Sequence, residues 1–260
     1  MLLVLDIGNT NIAIGVFGDD SDGKQGDLIG HWRFSSLGRT GDEAGLLLEN
    51  LLNSHGFDKS LIDGAILCSV VPRMEEVWRD AVSRYIGIHS LVVAHDIQFG
   101  MKVDIDHPEE VGADRLANAV AASEKFGYPL ISVDLGTAIN LDVVSAEGAY
   151  IGGAIAPGLA VSMETLFSRT AKLPQVALRA PARVIGRNTI NAVQSGIIYG
   201  YAGLVDALVE GMFAELGAHV PVIATGGHAE ILAAHSRTIT NIEPWLTLDG
   251  LRIIYGRCAG

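Results

Sequence analysis

Two short segments of this chain carry the residue types that handle a polyphosphate. Asp6-Ile7-Gly8-Asn9-Thr10-Asn11 follows an apolar run at 2–5, and Asp134-Leu135-Gly136-Thr137 follows another at 130–133. A phosphate site needs backbone N–H groups that can come close to an anion, hence glycine and small residues at a turn. It also needs a carboxylate to hold a hydrated cation against the phosphates. Asp6 and Asp134 offer the carboxylates. Gly8 and Gly136 remove the Cβ where the chain turns, and Asn9, Thr10, Asn11 and Thr137 add polar side chains. A third segment, Thr225-Gly226-Gly227-His228, has two adjacent glycines against which a base or ribose can lie. A fourth is Gly112-Ala113-Asp114-Arg115. There Asp114 can accept a hydroxyl proton while Arg115 holds a substrate anion, and phosphoryl transfer asks for little beyond such positioning and charge neutralisation. The chain has no Gly-x-x-x-x-Gly-Lys loop and no Gly-x-Gly-x-x-Gly opening a helix, so those routes to phosphate are unsupported.

The elements that must position these residues repeat. Residues 1–10, 11–17 and 28–35 read as an antiparallel meander, with a polar turn over 18–26. A helix over 42–55, a strand over 64–71, a helix over 75–85 and a strand over 90–94 follow. Helical spacing then covers 108–126, with Pro108 in the first turn. The second half begins again with strands at 130–134, 139–145 and 149–156. Helices at 159–171 and 189–216, a strand at 220–224 and short helical pieces at 229–235 and 250–256 complete it. Each half therefore starts strand-Asp-x-Gly-turn-strand. That repeat predicts a duplicated α/β domain with one aspartate facing in from each side of a cleft, divided into 1–110 and 111–260.

Composition bounds the partners. The 260 residues carry a formal charge of −12 and are 49% hydrophobic, which suits a folded core and offers no general field for nucleic acid or anionic lipid. The two cysteines, Cys68 and Cys258, exclude a disulfide scaffold, and the eight histidines show no zinc-ligand spacing. The run between Arg187 and Asp206 lacks charge but contains Asn188, Thr189, Asn191, Gln194 and Ser195. With Ile190, Val193, Ile197, Tyr201, Leu204 and Leu208 at helical spacing, it reads as an amphipathic helix of a cytoplasmic protein rather than a membrane span.

The order of the motifs resembles the type III pantothenate kinases. The resemblance rests on the segments above, on Cys68-Ser69-Val70-Val71-Pro72 and on Gly152-Gly153-Ala154-Ile155-Ala156-Pro157-Gly158. Ala171-Lys172-Leu173-Pro174, Ile185-Gly186-Arg187-Asn188-Thr189 and Gln194-Ser195-Gly196 add to it, and together the motifs span nearly the whole chain. The resemblance implies the duplicated ribonuclease-H-like, actin-like ATPase (ASKHA) fold, with two domains around a nucleotide cleft. It implies transfer of the terminal phosphoryl of ATP to the hydroxyl of pantothenate, the first step toward coenzyme A. Asp6, Ile7, Gly8, Asn9, Thr10, Asn11, Ile12 and Ala13 would line the ATP phosphates, with Asp6 nearest Mg2+. Thr137, Gly226 and Gly227 would serve the nucleotide. Gly112, Ala113, Asp114 and Arg115 would line the pantothenate pocket, with Asp114 the general base. Asp134 would help bind a monovalent cation, K+ or NH4+. Thr189 would reach pantothenate across a homodimer interface, for which the helix bearing Gly196, Gly200 and Gly203 is the expected surface.

The sequence departs from the family at Ile105, where many members have Tyr, and at Ile139-Asn140, where many have two threonines. These departures leave room for an accessory protein that kept the fold, or a kinase for another small hydroxy acid. Among the remaining polar residues, Arg33, Arg39 and Asp42 read as a solvated surface group, and His107 and His228 as rim residues.

Overall fold

The computed structural model describes residues 1–19, 25–93, 100–170 and 173–259. Ala94 and His95, the polar turn at 20–24 and the Ala171-Lys172 pair lie outside the described residues. In chain order the elements are β1 (Leu2–Ile7), β2 (Asn11–Asp19), β3 (Gln25–Ser35), α1 (Gly41–Ser54), β4 (Gly64–Ser69), α2 (Pro72–Ala81), β5 (Leu91–Val92) and α3 (Ala113–Phe126). They continue with β6 (Leu130–Leu135), β7 (Ala138–Val144), β8 (Tyr150–Pro157), α4 (Leu159–Arg169), α5 (Thr189–Leu216), β9 (Val222–Thr225), α6 (Ala229–Ala233), β10 (Asn241–Ile242) and α7 (Leu246–Ala259).

The expected duplication appears in the strand order. One five-stranded sheet runs β3-β2-β1-β4-β5 and the other β8-β7-β6-β9-β10, the same order twice. In each, the first three strands are antiparallel and the fourth pairs parallel with the first. The chain separates into two compact units. One holds 1–102, 106–121 and 246–260, and the other 103–105 and 122–245. This differs from the expected division at 110/111. Most of α3 and all of α7 fall in the first unit.

α7 also departs from the short piece expected at 250–256. Gly250 reads as a breaker in sequence, yet a Cβ there would stand 2.0 Å from the Ala117 carbonyl oxygen, so the glycine is what lets α7 lie against α3. Thr247 Oγ1 donates to Asn118 Oδ1 at 2.8 Å at the same crossing. Added Cβ atoms at Gly15 and Gly64 would meet Leu248 and Tyr255, so α7 covers the sheet face at the level of Leu2 and Val4. The opposite face, with Leu3, Leu5, Ile7, Ile12 and Ile14, packs on α1 and α2 around the fully buried Trp78.

The remaining boundary shifts have local causes. α3 begins at Ala113 rather than Pro108, because residues 108–110 form a separate 3-10 turn. α2 starts earlier, with Pro72 in the first turn, and gives way to a π turn at Val82–Ile86 closed by Gly87 at φ +88°. α1 is entered through a capping box in which Thr40 and Glu43 bond reciprocally.

In the second unit, α5 buries Ile198, Ala202, Val205, Val209 and Phe213 against β6, β7 and β9. Of the stripe read from sequence only Ile197 is buried; Ile190 is 45% exposed and the rest lie on the flank. α5 is long and apolar enough to cross a membrane by length and composition. It nevertheless carries Asp206 in its buried face, with Ser236, Arg237 and Thr238 donating to the carboxylate.

Candidate active site

The first aspartate sits where β1 ends. Gly8 N–H donates to the Asn11 carbonyl at 3.0 Å and closes the turn on itself. Ser36 clasps the same turn: its N–H donates to the Thr10 carbonyl at 2.8 Å and its Oγ to the Gly8 carbonyl at 2.6 Å. The Gly8 N–H is therefore bonded within the hairpin. Gly8 is required because a Cβ there would lie 2.9 Å from the Asn11 carbonyl oxygen. Asn9, Thr10 and Asn11 are exposed at the tip. Ile7 and Ile12 are fully buried on the α1/α2 side, so their side chains cannot line a ligand site; only Ala13 shares the face of Asp6.

Strand register sets Asp6 in a transverse row. Asp6 pairs with Cys68 on β4 and with Ala13 on β2, and Ala13 pairs with Arg33 on β3. Paired residues point to one face, so Cys68, Asp6, Ala13 and Arg33 form a line across the sheet. The Cys68 thiol donates to Asp6 Oδ1 at 3.4 Å. Burial pushes the Asp6 carboxyl up to about 7, with the Asp114 charge adding to the rise, while the Cys68 hydrogen bond and the positive charge of Arg33 pull it back. Burial and the same two carboxylates hold the Cys68 thiol well above its ordinary value.

Asp114 comes from the first turn of α3. Burial raises its carboxyl, against the lowering influence of the Arg115 backbone and guanidinium. The Arg115 N–H donates to Asp114 Oδ1 at 2.9 Å. Gly112 makes the room: a Cβ there would stand 2.4 Å from Asp114 Oδ1. The structure therefore brings Asp6, from the phosphate motif, together with Asp114, from the proton-acceptor motif, within one unit. The group read as a surface cluster disperses. Asp42 binds Arg84 and Tyr85, each at 2.8 Å, whereas Arg33 lies in the row of Asp6.

Asp134 repeats the arrangement of Asp6 in the second unit. It pairs with Thr225 on β9 and Asn140 on β7, and Asn140 pairs with Ile155 on β8. Gly136 N–H, like Gly8 N–H, is consumed in its own hairpin, donating to the Ala138 carbonyl at 3.0 Å. Gly226 has φ +92°, and a Cβ there would stand 2.5 Å from Asp134 Oδ1. Gly226 thus backs the Asp134 carboxylate. His228 follows, its N–H donating to the Leu135 carbonyl at 3.1 Å and its ring held below the usual histidine range by burial. Thr137 is exposed beside this strand end. Ile139 is fully buried in the core, so that departure from the family pattern falls away from the site, and Asn140 is the one in the row of Asp134. Ile105 faces Gly152. Thr189 opens α5 behind the Asn188 cap and lines a cavity of about 630 Å3 with Arg187, Val193 and Leu166.

Among the described residues, no three His, Cys, Asp or Glu side chains cluster as a closed metal site. A half-buried carboxylate at a strand end fits a different mode, in which one or two protein carboxylates, water and substrate phosphates share a magnesium ion.

Two copies of one mixed sheet, each with an aspartate at the end of its first strand, make the actin-like ATPase fold. The solved (R)-2-hydroxyglutaryl-CoA dehydratase component A of Acidaminococcus fermentans shares this fold, with a TM-score of 0.56 at 14% identity over 100% of this chain and 99% of that one. So does a Campylobacter jejuni protein assigned to the Baf family of transcriptional activators, with a TM-score of 0.60 at 19% identity over 99% and 98%. The chain belongs to the type III pantothenate kinase family, whose members it matches over residues 2–211. A type III pantothenate kinase of Koribacter versatilis is 48% identical over 262 residues, covering 99% of this chain and 96% of its own length.

Proposed function

We propose that the protein transfers the terminal phosphoryl group of ATP to the hydroxyl of pantothenate, yielding 4'-phosphopantothenate and ADP, the opening reaction of coenzyme A synthesis. Family membership supports the substrate pair. The observation that carries the chemistry is the pairing of Asp6 and Asp114 in one unit, both pushed up by burial. Two neighbouring carboxylates with different surroundings suit different tasks. Asp114, beside Arg115, is the general base: it takes the hydroxyl proton as the substrate oxygen bonds to the γ-phosphorus and the bond to ADP breaks. Arg115, Gly112 and Ala113 hold pantothenate, and Thr189 reaches it from a second copy in a homodimer. Asp6 and the polar turn Asn9-Thr10-Asn11 face the phosphates, with Thr137, Gly226 and Gly227 serving the nucleotide.

Asp6 would hold the magnesium ion, which neutralises charge on the transferring phosphates. Asp134 would hold K+ or NH4+. The protein acts in the cytoplasm, without nucleic acid or membrane. Coupled ADP release with ATP, pantothenate, Mg2+ and K+ tests the reading. Pantothenate-dependent turnover is expected; a protein that turns over another hydroxy acid but not pantothenate, or none, overturns it.

A further inference from the structure

The row Cys68–Asp6–Ala13–Arg33 places an arginine on the phosphate side of the first unit that neither the motifs nor the family reading assigns. We infer that the Arg33 guanidinium contacts the phosphate chain of the bound nucleoside triphosphate and supplies the cation that other phosphate-binding folds take from a loop lysine. The inference rests on the kinase reading above and extends it.

Reach comes first. Neighbouring strands lie about 4.8 Å apart, so Arg33 stands roughly 10 Å from Asp6, backbone to backbone, two strands away. The residue between them is Ala13, which ends at Cβ, so no long side chain of β2 stands between the two. Arg33 is exposed while Asp6 is half-buried, so the guanidinium lies on the solvent side of the row. Its charge is felt at Asp6, where it draws the carboxyl downwards. Ser36, three residues on, clasps the Gly8–Thr10 turn, so β3 and that turn are held as one piece.

Need comes second. The protein has a net charge of −12 and must attract a tetra-anion. The Gly8 N–H is bonded to the Asn11 carbonyl inside the hairpin. A guanidinium carries paired N–H donors that match two phosphate oxygens.

The duplication supplies an internal comparison. The corresponding row of the second unit reads Thr225–Asp134–Asn140–Ile155. Ile155, 65% exposed, stands where Arg33 stands in the first. The fold therefore does not require a cation at this register position.

The test compares Arg33→Gln, Arg33→Lys and the unsubstituted protein by calorimetry with ATP and with adenosine, and by the KM values for ATP and pantothenate. We expect Arg33→Gln to weaken ATP by about 10- to 100-fold, as for loss of a charge-assisted contact, and Arg33→Lys by less. Adenosine affinity and the KM for pantothenate stay level. The loss for ATP persists in an Asp6→Asn background, which separates a phosphate contact from an effect exerted through Asp6. Equal ATP affinity in Arg33→Gln, equal losses for ATP and adenosine, or a loss that vanishes in the Asp6→Asn background overturns the inference. A protein that binds ATP through Arg33 but never phosphorylates pantothenate overturns the reaction alone. An active pantothenate kinase whose KM for ATP ignores Arg33 overturns the contact alone.

Discussion

The Cys68 thiol donates to Asp6 Oδ1 across the register pair that joins β1 to β4. A thiol is a weak donor, so Asp6 keeps most of the cost of carrying charge where burial and Asp114 oppose it. A carboxyl whose folded value is raised to about 7 destabilises the fold as pH climbs from about 4, and the cost is constant above about 7. Asp6→Asn, without metal or nucleotide, is therefore expected to raise Tm by roughly 3–6 °C at pH 8, with a gain that shrinks toward pH 4. It should also abolish turnover. Thermal melts across that pH range check the sign, and a variant less stable at pH 8 removes the idea that Asp6 is kept against the fold's interest.

Asp114→Asn keeps the shape of the side chain and loses the proton acceptor. The expected result is a folded protein with kcat lowered by about 10²- to 10⁴-fold. In the unsubstituted enzyme the base works deprotonated, and burial raises its carboxyl. The rate should fall on the acid side with a midpoint above the ordinary aspartate value. A pH profile of kcat/KM reads it; full activity in Asp114→Asn would end the assignment.

Gly226→Ala places a methyl 2.5 Å from Asp134 Oδ1 at a backbone φ of +92°. Strain and overlap together should cost about 2 kcal/mol or more. Urea unfolding gives the number, and a neutral substitution would mean that Asp134 moves freely.

Gly196, Gly200 and Gly203 lie along the exposed side of α5, where an added Cβ would meet no atom within 4 Å. The single chain should therefore tolerate a large residue there. If this stripe packs against a second copy, Gly203→Trp should elute as a monomer in size-exclusion chromatography and lose the contribution of Thr189, seen as a raised KM for pantothenate. An unchanged dimer moves the interface elsewhere.

Period-2 alternation and turn residues made the strands legible, and the repeated strand-Asp-x-Gly pattern made the duplication legible. The partnership of Asp6 with Asp114 was not, because 108 positions separate them and only the placement of α3 joins them. Arg33 is exposed, as read, but its place in the row of Asp6 was not legible, for a similar reason. Its row depends on the β1–β2–β3 register, and one residue of slip would turn it to the other face. Where the Gly8 and Gly136 N–H groups go was not legible, because glycine at a turn signals missing bulk equally whether the turn binds an anion or its own carbonyl. The helical piece read at 250–256 was too short for α7, since a glycine at a close helix crossing and one at a helix end leave the same letter in a sequence.

α7 gives the first unit a dependence on the order of synthesis. Residues 122–245 of the second unit are one unbroken stretch and emerge from the ribosome before residues 246–259 do. Until α7 arrives, the part of the sheet face bearing Leu2 and Val4 lacks the cover of Leu248 and Tyr255, although its strands were made first. Domains usually complete themselves in the order they are translated. Here the later half can finish before the earlier one.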